Sequence, residues 1–288
     1  MWGMGNVCDK YLLSRWFSNP YIYAALPFLF SIFGVGAIFF TDFYFLDSAE
    51  TLLVAGGALM FVVASFIYSK ALFKEEVSRI AILLDFVSPI TLILAWYFIG
   101  EKLTVWQLVA FALMFAGSFA ASLKISQQAI KLSVAWLYMF FACLLYAGHD
   151  VVLRYLTSVR HESPAVVFIY LSFFLALVSY FCFFSRWFRL ELRANLKKLN
   201  AGALFLVVLL VIGYRVAVYF YTRAVALGPV ALVNAFQGFQ TIISFGLVLA
   251  ITKFHPSIIK EDLSRSNLIA KLAGLVLMAG GVVLLYLV

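Results

Sequence analysis

The chain has 288 residues, carries a formal net charge of +8, and is 65% hydrophobic but only 12% charged. Ordinary globular domains have about 25% charged and 45–50% apolar residues, so this composition excludes a soluble fold and predicts a polytopic membrane protein. The basic residues lie between apolar segments, which favours membrane-flanking loops over a nucleic-acid-binding surface.

Nine apolar segments are long enough to cross a bilayer as helices, because a hydrocarbon core about 30 Å thick needs about 20 residues. Residues 1–13 have the character of the second half of one further span, so we expect the sequence to begin within its first helix. Continuous apolar runs of this length are typical of helices rather than of barrel strands. The fold class is therefore predicted to be all-α, with about ten transmembrane helices. The full predicted spans are 21–40, 51–72, 79–99, 105–123, 132–156, 164–185, 201–226, 230–252 and 268–287.

Prolines mark the ends of these segments. Pro20, Pro27, Pro164 and Pro229 lie at or near predicted span starts, where a missing amide hydrogen costs little. Pro89 lies inside a span, so we predict a kink there.

One connection is long and strongly basic. Residues 186–198 are interpreted as a cytoplasmic loop, with an amphipathic segment lying on an anionic leaflet as the alternative. Lys and Arg concentrate in every second loop, which places these loops in the cytoplasm and the C-terminus outside.

The two halves of the chain repeat one plan. The sequence Tyr-Ser-Lys-Ala at 68–71 returns as Tyr-Thr-Arg-Ala at 221–224, an offset of 153; residues 2–12 align with 146–156 at an offset of 144. Each half holds five spans, an odd number, so the halves are expected to lie in opposite orientations. Inverted repeats are typical of secondary transporters, with the substrate site near the midplane between the halves. We predict a first repeat at 1–123, a linker at 124–131 and a second repeat at 132–288.

Further features accompany the repeat: Ser88-Pro89 within the fourth span, Gly-Glu-Lys-Leu at 100–103, and a glycine-bearing fifth span. Together with the five-span halves and the end of the third span at 68–72, they make the chain resemble the EamA-like permease family of the drug/metabolite transporter superfamily. The resemblance covers nearly the whole chain. It implies small-molecule transport, aromatic residues that contact substrate in a central cavity, and last helices of each half that can mediate homodimers.

Three features depart from the family pattern. The first span is short, and the second-half counterpart of Gly-Glu-Lys reads Lys-Phe-His-Pro at 253–256. The family usually keeps both termini in the cytoplasm, whereas the loop charges place the C-terminus outside. We keep the loop charges as the basis for the predicted orientation.

Small residues recur at every fourth position of the fifth span. Ala112, Ala116 and Ala120 form a stripe that lets helices approach closely, as Ala270 and Gly274 do more briefly. We expect these stripes to pack within the chain, with a homodimer contact as the alternative.

Arg215 is the first candidate site residue, because it lies near the middle of span 201–226, where a charged side chain is expensive. One interpretation is a clamp for a substrate carboxylate or phosphate, since the guanidinium fork matches such groups. The other is a structural ion pair with Asp150. Tyr214, next to Arg215 in the sequence, adds a hydroxyl to the same region.

Asp150 and His149 are the second candidate group. Asp150 and Arg154 are four residues apart, so a pair on one helix face is the plainer interpretation. The alternative interpretation is that Asp150 or His149 carries the proton in coupled antiport. Asn6 occupies the matching position in the first half, and Asp9 is interpreted as a boundary residue.

Aromatic and amide side chains complete the candidate site. Tyr68 and Tyr221 are repeat-related, and the resemblance implies that such aromatics contact substrate; the alternative is ordinary interfacial tyrosine. Polar residues inside apolar helices either bridge helices or line a wet cavity, and we favour cavity lining. The predicted substrate-binding residues are Arg215, Tyr68, Tyr221, Tyr146, Tyr214, Gln237, Gln240 and Asn6, with Asn234, Asp85 and Ser88 as further lining residues.

The predicted function is secondary transport of a small metabolite, such as an amino acid-like compound, an organic anion or a drug-like molecule, by alternating access. A flippase for a lipid-linked sugar or phospholipid is the main alternative. An enzyme is disfavoured, since the sequence has no His-Glu-x-x-His, Gly-x-Ser-x-Gly or metal-spaced cluster. We expect no cofactor, no metal and no nucleic acid; the expected partners are a small-molecule substrate and membrane lipid, in the plasma (inner) membrane.

Overall fold

Helices make up nearly all of the protein. The computed structural model describes residues 2–100, 104–125, 130–235, 238–254 and 264–287. Within these ranges the predicted all-α fold is confirmed; the only strands there are two three-residue segments, paired antiparallel, that flank the predicted linker. The helices are α1 (Trp2–Arg15), α2 (Pro20–Leu29), α3 (Ser48–Lys74), α4 (Val77–Leu84), α5 (Val87–Ile99), α6 (Val105–Ser122), α7 (Val134–Arg154), α8 (Pro164–Phe181), α9 (Arg186–Lys198), α10 (Ala201–Leu227), α11 (Val230–Ala235), α12 (Gly238–Phe254) and α13 (Arg265–Leu287). The strands are β1 (Leu123–Ile125) and β2 (Ile130–Leu132). A 3₁₀ segment at Phe30–Phe40 extends α2, another at Cys182–Phe184 extends α8, and a π-helical turn at Tyr155–Val159 extends α7.

Seven helical segments are long and apolar enough to cross a membrane, so the chain is a multi-spanning membrane protein. Two further apolar helices, Val105–Ala121 and Gln240–Phe254, are shorter. The seven are Pro20–Phe40, Ser48–Lys74, Val77–Ile99, Ala135–Val159, Pro164–Phe184, Ala201–Leu227 and Arg265–Leu285.

The helix starts follow from local sequence. Pro20 and Pro164 are the first residues of α2 and α8, where the proline ring is already set for the helix. Asp47 caps α3 in a reciprocal box with Glu50, and Asn200 caps α10 through the amide of the third helical residue.

The kink predicted at Pro89 is confirmed. The fourth span is interrupted at Asp85 and Phe86, between α4 and α5, and Pro89 is the third residue of α5. A proline ring clashes with the carbonyl four residues earlier, here that of Asp85, so the helix breaks where the clash falls. At the break the carbonyl of Leu83 accepts from the backbone amide of Phe86 at 3.2 Å and from the Cys143 thiol at 3.4 Å.

The basic connection is a helix, α9, so its interpretation as a simple loop is wrong. Ser185 caps its start by accepting from the amide of Phe188, and Phe188, Leu192 and Asn195 are buried on one face. Asn195 accepts from the backbone amide of Ser18 at 3.0 Å, which ties α9 to the α1–α2 connection.

Helices α4 and α5 of the first half each pack against a helix of the second half. Helix α4 packs against α12, and α5 packs against α11. Ser88 donates to the carbonyl of Ala231 at 3.1 Å, and Thr241 donates to the carbonyl of Ala81 at 3.0 Å. Ser88 and Thr241 are separated by the repeat offset of 153, so the two bonds are related by the repeat.

Helices α6 and α13, the last of each half, pack closely against each other. A Cβ on Gly117 would lie 2.8 Å from the Gly274 carbonyl oxygen, and one on Gly281 would lie 2.4 Å from Met114 Cγ. The expectation that Ala112, Ala116 and Ala120 carry packing within the chain is wrong, because Ala112 and Ala116 are exposed and Ala120 is partly exposed. The small residues of α6 that do meet α13 lie on another face of the same helix; they are Ala110, Gly117 and Ala121.

A buried charge network joins the halves at the end of the bundle where α3 stops. Glu76 accepts from Lys271 at 2.7 Å and lies 3.5 Å from the Arg79 guanidinium. Arg79 donates to the last carbonyls of α6, and Lys10 donates to the carbonyl of Glu75 at 2.7 Å. Lys271 and Arg79 are almost fully buried, so their charges depend on this network.

Gly117→Ala is expected to destabilise the protein by about 1–3 kcal/mol, because the new methyl group would overlap the backbone of α13. Gly280→Ala is the matched control: it lies on the partner helix and has open space at its Cβ position. Thermal unfolding of the purified protein in one detergent measures both. A Gly117→Ala variant as stable as Gly280→Ala would contradict the packing described here.

Glu76→Gln is expected to cost about 3–5 kcal/mol, because it removes the charge that Lys271 and Arg79 face in a buried setting. Asp47→Asn is the control, since Asp47 pairs with Arg160 at an exposed end and asparagine still caps a helix. The unfolding midpoint of Glu76→Gln should fall well below that of Asp47→Asn; equal midpoints would refute the role of the network.

Candidate functional site

A cavity of about 130 Å³ lies between the two halves. A buried water occupies about 10–15 Å³ on a comparable measure, so the space holds several waters or a small metabolite. Helices α1, α2, α3, α7, α8 and α10 form its wall, with Leu84 and Val87 at the α4–α5 break. The polar and aromatic side chains on the wall are those of Trp2, Asn6, Asp9, Tyr23, Phe28, Phe61, Ser65, Tyr68, Ser69, Tyr146, His149, Asp150, Tyr214, Arg215 and Tyr221.

Most of the residues predicted for the site share this wall. Gln240 is buried away from it, and Gln237 lies outside the described residues. Substrate binding by the wall residues stays a prediction. The predicted residues on the wall are Asn6, Tyr68, Tyr146, His149, Asp150, Tyr214, Arg215 and Tyr221.

The first-half polar cluster is centred on Asn6. Its side-chain oxygen accepts from the Tyr68 hydroxyl at 3.0 Å, and its amide nitrogen donates to Ser244 at 3.4 Å. Tyr68 comes from α3 and Ser244 from α12, so Asn6 joins the two halves.

The second-half cluster repeats this arrangement around Asp150. Asn234 donates to Asp150 at 2.8 Å and to Thr91 at 3.0 Å, and accepts from Tyr221 at 2.7 Å. Asp150 and Tyr221 are the repeat counterparts of Asn6 and Tyr68, and Thr91 is that of Ser244. The two clusters are therefore related by the repeat, with a carboxylate in one and an amide in the other.

The predicted pair of Asp150 with Arg154 is wrong. Arg154 points along the helix to the end of α10, where it donates to the carbonyls of Val225 at 2.9 Å and Ala226 at 3.4 Å. Cations near a helix C-terminus satisfy carbonyls that have no partner within the helix. Asp150, on the cavity wall, accepts instead from Asn234 and Tyr221.

Arg215 donates to the Ser31 hydroxyl at 2.7 Å. Within the described part of the chain its Nε is buried without an acceptor, and the guanidinium pairs with no carboxylate. The predicted ion pair with Asp150 is therefore wrong. A cation in an apolar span with unused donors is expensive unless a ligand or water engages it.

Asp9 is a cavity residue, so its interpretation as a boundary residue is wrong. Its carboxylate accepts from the hydroxyl of Tyr214 at 2.7 Å and from the hydroxyl of Tyr23. Asn6 and Asp9 are three residues apart on one helix face, and that spacing was the signal that could have placed Asp9 beside Asn6.

His149 is held in one orientation. Its Nδ1 lies 3.0 Å from the carbonyl oxygen of Gly57, which can only accept, so Nδ1 carries the proton. Its ring centroid lies 4.8 Å from that of Phe61. A neutral His149 then has its Nε2 lone pair left as an acceptor.

Several residues predicted to line the cavity lie behind its wall. Ser88 bonds Ala231, and Asn234 reaches the cavity only through Asp150 and Tyr221. Asp85 is buried at the α4–α5 break, on the side of Thr241. These residues bridge helices, the alternative role for polar groups inside a bundle.

Residues 1–123 match the model of the EamA-like transporter family. The matched residues are those of the predicted first repeat. A protein of known crystal structure, 16% identical in sequence, superposes on 99% of this chain and 95% of its own with a TM-score of 0.58, a likeness of fold alone. No curated protein matches the chain.

The cavity combines opposite charges with aromatic surface. Asp9 and Asp150 supply two carboxylates, Arg215 one guanidinium, and five tyrosines hydroxyl-bearing faces. No group of three or more possible metal ligands occurs among the residues described. The wall is suited to a small molecule with a charged group and an apolar body.

Asn234→Asp is expected to make the protein less stable as the pH rises. The introduced carboxylate would lie beside Asp150, and two carboxylates so close share one proton in the folded state. Both are ionised in the unfolded chain near neutrality, so the folded state binds the extra proton and loses stability with increasing pH. Thermal unfolding across the pH range, with Thr91→Val as a control that removes only a neutral hydrogen bond, measures the slope; parallel profiles would refute the contact.

Proposed function

We propose that this protein is a secondary transporter for small amphipathic zwitterions of the amino-acid class, in the plasma (inner) membrane. The observation that carries the proposal is Arg215, whose guanidinium faces the cavity with unused donors while Asp9 and Asp150 lie on the same wall. The match of residues 1–123 to a transporter-family model supports transport over catalysis.

The substrate carboxylate is assigned to Arg215, because a guanidinium fork binds carboxylates through two parallel hydrogen bonds. The substrate ammonium is assigned to Asp150, a carboxylate on the cavity wall whose Oδ2 accepts from Asn234 at 2.8 Å. The rings of Phe61, Tyr68 and Tyr146 supply the surface for an apolar side chain.

Contacts between the halves at both ends of the cavity support alternating access. At one end Arg160 bonds Glu50 at 2.8 Å and Asp47 at 3.0 Å. At the other end Lys271 bonds Glu76 and Asn195 bonds Ser18. Opening each end in turn requires breaking one set while the other stays formed, as expected for two repeats that rock around a fixed site.

The test is binding and counterflow of labelled amino acids with purified protein in liposomes. Arg215→Met is expected to lower affinity about 10–100-fold, because a hydrogen bond to a charged group is worth about 1.5–3 kcal/mol. Arg215→Lys should keep part of the affinity, and Ser31→Ala, which removes only the arginine's hydroxyl partner, should change it little.

Unchanged transport rates and substrate preference in the Arg215→Met, Asp150→Asn double variant would refute the assignment. Binding of lipophilic cations alone, insensitive to Arg215→Met, would replace the zwitterion by a cationic substrate. Movement of a lipid between leaflets without amino acid counterflow would favour a flippase.

A further inference from the structure

Helix α9 must lie at a membrane surface. One residue separates α9 from the preceding span, which ends at Phe184, and two residues separate it from the next span, which begins at Ala201. Connections this short cannot carry a 13-residue helix away from the bilayer.

One face of α9 is fixed against the protein. Phe188, Leu192 and Asn195 are buried, and Asn195 accepts from both the backbone amide and the hydroxyl of Ser18. Ser18 follows α1, which carries Asp9. The rotation of α9 about its axis is therefore set by contacts with the first half of the chain.

The face turned away from the protein is basic. Arg186, Arg193 and Lys197 are exposed and, at positions seven and four apart, share one side of the helix. None of the three has an acidic partner among the described residues. Helix α9 contains five basic residues and one acidic residue, so this charge is not balanced within the helix.

An apolar edge borders the basic face. Trp187 and Leu190 lie three residues apart and are 53% and 56% exposed, and Phe184, just before the helix, is 81% exposed. Exposed tryptophan and leucine beside basic residues, in a helix at the membrane surface, are typical of insertion at the headgroup level.

We propose that the outward face of α9, formed by Arg186, Trp187, Leu190, Arg193 and Lys197, is a docking surface for anionic phospholipid headgroups. The three cations complement the negative charge of an anionic leaflet, and the apolar edge reaches the upper acyl chains. The inference concerns a surface outside the cavity and does not depend on the substrate.

The test uses the full-length protein in vesicles of phosphatidylcholine and phosphatidylglycerol, with brominated acyl chains as quenchers of tryptophan fluorescence. Two vesicle samples are compared, in which an equal amount of bromine is carried by one lipid or by the other. The emission of Trp187 is obtained by subtracting the emission of the Trp187→Phe variant from that of the unmodified protein. We expect at least about a twofold stronger quenching by brominated phosphatidylglycerol, since each basic residue at an anionic surface contributes about fivefold to binding.

The decisive comparison is between two triple variants. The preference for brominated phosphatidylglycerol should be abolished in the triple variant Arg186→Gln, Arg193→Gln, Lys197→Gln. It should be retained, with the same secondary structure, in the triple variant Arg186→Lys, Arg193→Lys, Lys197→Arg. Equal quenching by both lipids in the unmodified protein would overturn the proposal. So would the absence of Trp187 quenching by either lipid, or a preference that survives the glutamine variant.

Discussion

Polar groups inside an apolar bundle depend on one another, because the surrounding lipid offers them no hydrogen bonds. In this protein the partners come largely from the opposite half of the chain. Asn6 bonds Ser244, and Asn234 bonds Thr91. The interface that satisfies these groups is the interface that contains the cavity, so the fold and the candidate site rest on the same set of bonds. A substitution in one cluster is therefore expected to change both the stability of the protein and the shape of the cavity wall.

The sequence offsets relate the helices of the two halves, but the charges on the cavity wall are not repeated. Asp150 has an amide, Asn6, as its counterpart, while the offset of 144 places Leu153 opposite Asp9 and the offset of 153 places Val62 opposite Arg215. In the proposed alternating-access cycle, related helices would exchange equivalent positions as the halves rock, while one set of charged groups would stay in the cavity throughout. A substrate entering from either side would then meet the same guanidinium and carboxylates. This combination of symmetric scaffold and asymmetric chemistry is what a carrier with a single site requires.

The sequence alone predicts the spans, the break before Pro89 and most of the cavity wall, because these depend on local composition and on the offset between the repeats. It does not predict the hydrogen-bond partners. Asp9 meets Tyr214 across 205 positions of sequence, and Arg154 reaches past Asp150 to the end of another helix. Such contacts depend on the rotation of each helix about its axis, which adjacent charges in a sequence do not determine. The packing stripe of α6 was missed for the same reason, since two small-residue stripes occur on that helix.

The ion pairs at the two ends of the bundle differ in burial. At one end Arg160, whose side chain is 44% exposed, pairs with Asp47 and with Glu50, and partly exposed pairs contribute little because water competes for the charges. At the other end Glu76 pairs with Lys271, whose side chain is 1% exposed, and separating a buried pair leaves a charge without compensation. In the proposed alternating-access cycle, opening at the Glu76 end would therefore cost more than opening at the Arg160 end. Ligand contacts on the cavity wall would then have to offset the cost of separating Lys271 from Glu76.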